Sequence, residues 1–253
     1  MSEQPLLYSV ENYIATLTIN RPEKRNALSA ETIDLFLAAL DSAGNDDDVR
    51  VVFITGAGEK AFCSGADLSG KPGGAGTSRY ADLITRIYRF PKPTVAGVKG
   101  YCLAGGMGVM LACDIVIGRD DAQFGTPEVN VGLWPMMIGA LIYRNMLPKH
   151  ATPMIMLGER FGVDEAYRMG FVSMVVDSAD YEDRIADVTA KLAQKSPIGM
   201  RLGKQAFAAV ADMPFEEAVQ YLSTQLTAVS ETEDAKEGIA AFLEKRRPNF
   251  VGR

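Results

Sequence analysis

From Tyr13 to Ile19 the chain reads YIATLTI, with apolar Ala15, Leu17 and Ile19 alternating with Thr16 and Thr18. A period of two is that of a strand with one buried face. The period then changes. In SAETIDLFLAALDSAG, Ile33, Phe36, Leu37 and Leu40 fall on one face of a helix. Ser29 stands where it can cap that helix, Glu31 lies in the first turn, where the helix dipole favours an anion, and Gly44 marks the end. VRVVFITG, from Val49 to Gly56, is apolar almost throughout, the pattern of a strand covered on both faces. TVAGV and DIVIG repeat it. Each of these strands is followed by a helical run or a glycine-rich turn, so the first two-thirds of the chain reads as strand–helix units, an α/β fold.

Beyond about Gly139 the strand signal thins. DEAYRMGFV, YEDRIADVTAKLAQKS, PIGMRLGKQAFAAVAD, PFEEAVQYLSTQL and EDAKEGIAAFLEKR carry helical patterns. Pro197 and Pro214 stand at helix starts, where the missing N–H has no intrahelical role to lose. LSGKPGGAGTSRY, residues 68 to 80, is glycine-rich and reads as a mobile loop. The expected organisation is a sheet-containing core over residues 1–195 and a helical region over 196–253, with no linker between them and one shared function.

Of the 253 residues, 47% are hydrophobic and 23% charged, which is ordinary for a globular protein and enough for a core that folds without staples. The net charge of −6 argues against a nucleic-acid surface, which needs a basic face, but leaves room for a local basic pocket. Cys63, Cys102 and Cys113 lack metal-ligand spacing and read as reduced thiols. The opening MSEQPLLYSVENYIA has neither a basic n-region nor a long apolar core, and no run approaches a membrane span. The expectation is a cytoplasmic protein with no membrane and no nucleic-acid partner.

Several motifs fail on one residue. GADLSGKP approaches a phosphate loop, but Pro72 replaces the Ser or Thr that would hold magnesium. GGMGVML approaches a dinucleotide fingerprint, but Leu111 stands in place of the third glycine. The single histidine, His150, rules out a histidine-rich metal site, and no metal is expected. Ser64 lacks the first glycine of a nucleophile elbow, since Phe62 is there.

Two glycine-containing turns remain, AFCSGADL and GYCLAGGMG, each after a strand-like run. If they face each other, each can offer a backbone N–H to one oxygen, and a helix N-terminus behind one strengthens the pair as an oxyanion hole. The alternative is that both are simply tight turns. Downstream, Glu128 in AQFGTPEVNVGLWP follows Pro127 and precedes an apolar stretch. A carboxylate desolvated in such surroundings has a raised pKa and suits general acid–base work. The alternative is a glutamate engaged in capping or an ion pair.

In order along the chain, TLTINRPEKRNALS, KAFCSGADL, KPTVAGVKGYCLAGGMGVMLACDIVIG, AQFGTPEVNVGLWP and AAFLEKRRPNF resemble the segments of the crotonase superfamily, the enoyl-CoA hydratase/isomerase family. The resemblance spans nearly the whole chain. It implies a crotonase-like spiral of ββα units with a helical C-terminal region that mediates trimerisation, and a homotrimer or a hexamer built from two trimers. It implies an acyl-CoA substrate, with coenzyme A as part of the substrate and no separate cofactor. The two backbone donors to the thioester oxygen would be those of Ala66 and Gly105, stabilising an enolate-like anion. Coenzyme A would meet Ser64 and Leu68, one of the basic residues Lys24 and Arg25, and Phe242 and Lys245, the last two often reaching a neighbouring subunit's site.

The sequence departs from the pattern at one catalytic position. A hydratase of this family generally holds a water between two glutamates. One corresponds to Glu128; the other would stand at position 108, which is Gly108. One carboxylate suffices for a 1,3-proton shift, the chemistry of the family's enoyl-CoA isomerases, so isomerisation is the expected reaction, with single-glutamate hydration or another enolate reaction as alternatives. In LWPMMIGAL, bulky Trp134, Met136 and Met137 replace a glycine-rich segment found in many hydratases, and are expected either to line the acyl pocket or to serve as ordinary core packing.

Overall fold

The computed structural model describes residues 4–67 and 75–253. A six-stranded sheet runs in the order β1 (Leu6–Glu11), β2 (Ile14–Ile19), β3 (Val51–Gly56), β5 (Thr94–Val98), β7 (Ile115–Arg119) and β10 (Met174–Val176). A second sheet holds β4 (Ala61–Cys63), β6 (Tyr101–Leu103), β8 (Gln123–Gly125) and β9 (Arg160–Gly162). The chain alternates between them. β3, β5 and β7 enter the first sheet, and β4, β6 and β8 follow them directly into the second. β4 leads to helix α2 (Ala75–Tyr88) and β6 to helix α3 (Gly105–Leu111), which gives the ββα spiral expected from the resemblance. The β2–β3–β5–β7–β10 and β4–β6–β8 pairings are parallel, whereas β1 pairs antiparallel with β2 and β9 antiparallel with β8.

Burial follows the sequence pattern. In β2 every second residue is buried and the others are half-buried. In β3, Val52 and Ile54 join the main core, while Val51 and Phe53 face a second cluster with Tyr181, Ile185 and Val188 of helix α7 (Tyr181–Ala193). A strand covered on both faces has no polar face to show, hence its unbroken apolar run. Ser29 caps helix α1 (Ala30–Asn45), its hydroxyl accepting the Thr32 N–H at 3.2 Å, a contact worth about 1 kcal/mol. Gly44 lies inside the last turn of α1 rather than beyond it.

One strand goes unread in the sequence, and one expectation changes. β1, two residues upstream of β2, has an irregular burial pattern, and hairpin pairing rather than its own periodicity places it in the sheet. The segment read as a loop from 68 to 80 is helical from Ala75 onward, in α2. Tyr80, Leu83, Ile84 and Ile87, at helical spacing, turn into the core and override the glycine signal before them.

Helices α4 (Met136–Asn145), α5 (Pro148–Leu157) and α6 (Val163–Met169) are interleaved with β9 and β10, the last strands of the two sheets, and α8 (Pro197–Val210), α9 (Phe215–Ser230) and α10 (Glu233–Leu243) form the C-terminal region. Pro197 and Pro214 stand at the starts of α8 and α9, as expected. This region leaves large apolar side chains exposed, among them Phe207, Phe215, Leu226, Phe242 and Leu243. Among the described residues no helix is long and apolar enough to cross a membrane.

Candidate active site

The site forms where β4 and β6 end side by side. Cys63 of β4 pairs with Cys102 of β6, so the turns that follow the two strands leave the sheet together. Gly65 takes φ +101°, a conformation that side chains rarely adopt, and a Cβ there would fall 2.8 Å from the Ala104 Cβ and 3.1 Å from the Gly105 nitrogen. The two turns therefore touch, and only a residue without a side chain allows the approach. On its other side the Gly65–Asp67 turn is tied to Leu28. The Leu28 N–H donates to the Gly65 carbonyl at 2.8 Å, and the Asp67 N–H donates to the Leu28 carbonyl at 2.9 Å. In such a parallel bridge the intervening residue, Ala66, directs its N–H away from Leu28.

Gly105 is the first residue of α3, and a helix's first N–H groups have no intrahelical acceptor. The preceding Ala104 is held at φ 49°, ψ −125°, sparsely populated backbone for alanine and strained by about 1–3 kcal/mol. Gly106 packs so closely on β4 that a Cβ there would lie 2.3 Å from the Cys63 carbonyl oxygen. The turn is thus fixed by contacts on several sides.

Glu128 lies in a 3-10 helix, Pro127–Val131, that follows β8. Its Oε2 is buried and has no hydrogen-bond partner among the described residues. Desolvation pushes its carboxyl above the usual carboxylate range. An unpartnered carboxylate oxygen is costly, and here it is free to receive a proton. The nearby thiols offer no competing nucleophile: burial pushes Cys63 up to about 12, and Cys102 is also raised.

Position 108, on the next part of α3, is closed. A Cβ on Gly108 would lie 2.1 Å from the Tyr80 hydroxyl oxygen and 2.5 Å from Cγ2 of Ile138. The missing carboxylate is therefore not an empty slot, because a phenol from α2 fills it. The Tyr80 hydroxyl donates to the Gly105 carbonyl at 2.6 Å. Sequence reasoning missed this residue by assigning it to a loop, although its spacing to Leu83, Ile84 and Ile87 was a usable signal.

The basic residues expected to meet coenzyme A lie beside the same turn. The Ser64 N–H donates to the Arg25 carbonyl at 3.1 Å, and Lys24 approaches Asp67 at 3.7 Å, outside the tighter Arg21–Asp67 pair at 2.7 Å. Arg25, in left-handed backbone, holds its guanidinium 5.8 Å from the Tyr101 ring centre. This loop is anchored by Asn26, also missed in the sequence, whose buried side-chain amide donates to the Ala57 and Ala61 carbonyls and accepts the Arg21 N–H. Leu68 lies outside the described residues.

Other candidates are placed apart. Trp134 and Met136 are exposed, whereas Met137 packs against the core and Ile138 is the residue of this segment that reaches Gly108. Phe242 is 82% exposed at the end of α10, and Lys245 follows in left-handed backbone; neither has a contact described with the Gly65–Asp67 turn.

The chain matches the enoyl-CoA hydratase/isomerase family over residues 9–253 and belongs to that family. It is 34% identical over 254 residues to the (E)-benzylidenesuccinyl-CoA hydratase of Thauera aromatica, across 98% of this chain and 99% of that one. It is 36% identical to the carnitinyl-CoA dehydratase of Escherichia coli strain K12, across 95% of each chain. Its fold superimposes on the enoyl-CoA hydratase of Mycobacterium smegmatis with a TM-score of 0.93 at 32% identity, over 98% of this chain and 99% of that one. The protein is an acyl-CoA enzyme of this family.

Proposed function

We propose that the enzyme moves a carbon–carbon double bond along an acyl-CoA, with Glu128 carrying the proton. In this reading the ionised Glu128 takes a proton from C2 of a 3-enoyl-CoA. The electron pair spreads into a dienolate whose oxygen rests between the Ala66 and Gly105 N–H groups, and Glu128 returns the proton to C4, leaving the 2-enoyl thioester. Atoms balance without water. The observation that carries the reading is the pairing of one carboxylate, whose buried Oε2 has no hydrogen-bond partner among the described residues, with a position 108 occupied by the Tyr80 hydroxyl. The purified protein is expected to convert 3-enoyl-CoA to 2-enoyl-CoA faster than it hydrates the 2-enoyl thioester; efficient hydration with no isomerisation would overturn this.

The second reading is hydration or dehydration by the single glutamate. The names of the Thauera and Escherichia relatives favour it, since a hydratase and a dehydratase both move water. The same pair of assays separates the two.

We assign coenzyme A to the Lys24–Arg25 loop and the Ser64 turn, with Phe242 and Lys245 serving a neighbouring copy. The exposed apolar side chains of α8–α10 support self-association into a trimer or a pair of trimers. Sedimentation equilibrium tests it, and a monomer at micromolar concentration would refute it.

A further inference from the structure

We propose that Tyr80 is the positioning residue of the oxyanion hole, holding Gly105 so that its N–H meets the thioester oxygen. The inference rests on the reading of Gly105 as one of the two donors. Glycine has the widest conformational freedom of any residue, and at the first position of a helix its N–H is not tied by an intrahelical bond. A donor of that kind needs to be held from outside. Tyr80 does so in two ways. Its ring carbons come within 3.4 Å of where a Gly105 Cβ would stand, covering that face of the residue. Its hydroxyl donates to the Gly105 carbonyl at 2.6 Å, fixing the peptide on the far side. The strained Ala104 backbone immediately before Gly105 also requires restraint from its surroundings.

The geometry explains Gly108 as well. The hydroxyl reaches the Gly105 carbonyl by passing through the space that a Cβ at position 108 would need. A clamp on Gly105 and a carboxylate at position 108 are thus mutually exclusive in this arrangement. Burial and the neighbouring Cys63 and Glu128 hold the phenol well above its ordinary pKa, so it remains a donor and does not act as a base.

The alternative is that the buried phenol merely satisfies its own hydrogen bond on the nearest carbonyl. The two are separated by the carbonyl stretch of a bound, carbonyl-labelled 2-enoyl-CoA, measured in the Glu128→Gln protein to prevent turnover. The parent should show a stretch lowered on binding. Adding Tyr80→Phe should reduce that shift, and in the otherwise native enzyme the same change should lower kcat roughly 10- to 100-fold with KM within about twofold. An unchanged shift with Tyr80→Phe overturns the positioning role while leaving the oxyanion hole standing. No shift even in the parent overturns the hole itself and the inference with it. Gly108→Ala provides a second route, since its methyl group displaces the hydroxyl from the other side. It should reduce the shift on its own and add little to Tyr80→Phe, because both remove the same contact. Fully additive effects would overturn the proposal.

Discussion

On one wall of the site Glu128 keeps a buried carboxylate oxygen with no hydrogen-bond partner among the described residues. On the other, the enclosed Tyr80 hydroxyl donates to Gly105, in the space a side chain at position 108 would occupy. Both walls bury a polar group, but they treat it oppositely. The satisfied phenol holds structure, and the unsatisfied carboxylate stores reactivity, because folding cannot relieve its desolvation without a partner. A substrate proton can. On the proposed function, the difference separates a group that would support the reaction from the group that would perform it.

The sharpest way to break this contrast is Glu128→Gln. It keeps the shape and removes the proposed base. We expect kcat to fall by about 10²–10⁴, the usual cost of losing a general base, with binding of coenzyme A thioesters little changed in calorimetry. Retention of full rate would move the base elsewhere. Next in size is Gly108→Ala. Inside a helix that change ordinarily stabilises by about 0.5–1 kcal/mol. Here the new methyl meets Tyr80 and Ile138, and overpacking of this kind costs about 1–3 kcal/mol, so the sign should reverse in urea unfolding. A stabilised variant would mean that Tyr80 yields easily and the wall is not closed.

How far the sequence reveals this contrast depends on the range of the contacts involved. The burial of β2 and the two-sided cover of β3 are legible because each is written in local periodicity. The Ser29 cap is legible for the same reason. The touching of Gly65 and Gly105 is a contact between separate strand ends, and the pattern within either turn contains nothing of the other. Tyr80 is harder still. The glycines from 70 to 76 mask the start of α2, and the phenol's partners lie 25 and more residues away. The resemblance to a family points at position 108 as unusual, but only the fold shows what stands there.

A smaller effect tests the Glu128 wall through stability. A carboxyl whose folded pKa is raised favours folding in its protonated form, and that advantage is lost as pH rises through the folded value. Glu128→Gln is therefore expected to match the wild type at pH values below the ordinary glutamate range and to become the more stable of the two at neutral pH. Chemical denaturation across that window checks it. Equal stability at both ends would mean that the carboxylate is not desolvated in the folded protein. The acid limb of the rate profile should likewise titrate above the usual carboxylate range.

The smallest expected effect lies outside both walls and serves as their control. Lys24 is about half exposed, and its 3.7 Å approach to Asp67 is loose beside the Arg21 pair. Exposed charges of this kind contribute about 0.2–1 kcal/mol and are screened by salt. Lys24→Ala should weaken binding of a coenzyme A thioester only about two- to fivefold at low ionic strength, and the loss should shrink as salt is added. Because Lys24 touches neither Glu128 nor Tyr80, kcat and the pH profile should stay in place. A shift in either would couple Lys24 to Glu128 and Tyr80 and break the separation between them. A loss in binding that salt does not reduce would show that Lys24 acts through packing, and would leave Arg25, set against Tyr101, as the phosphate-facing charge of the loop.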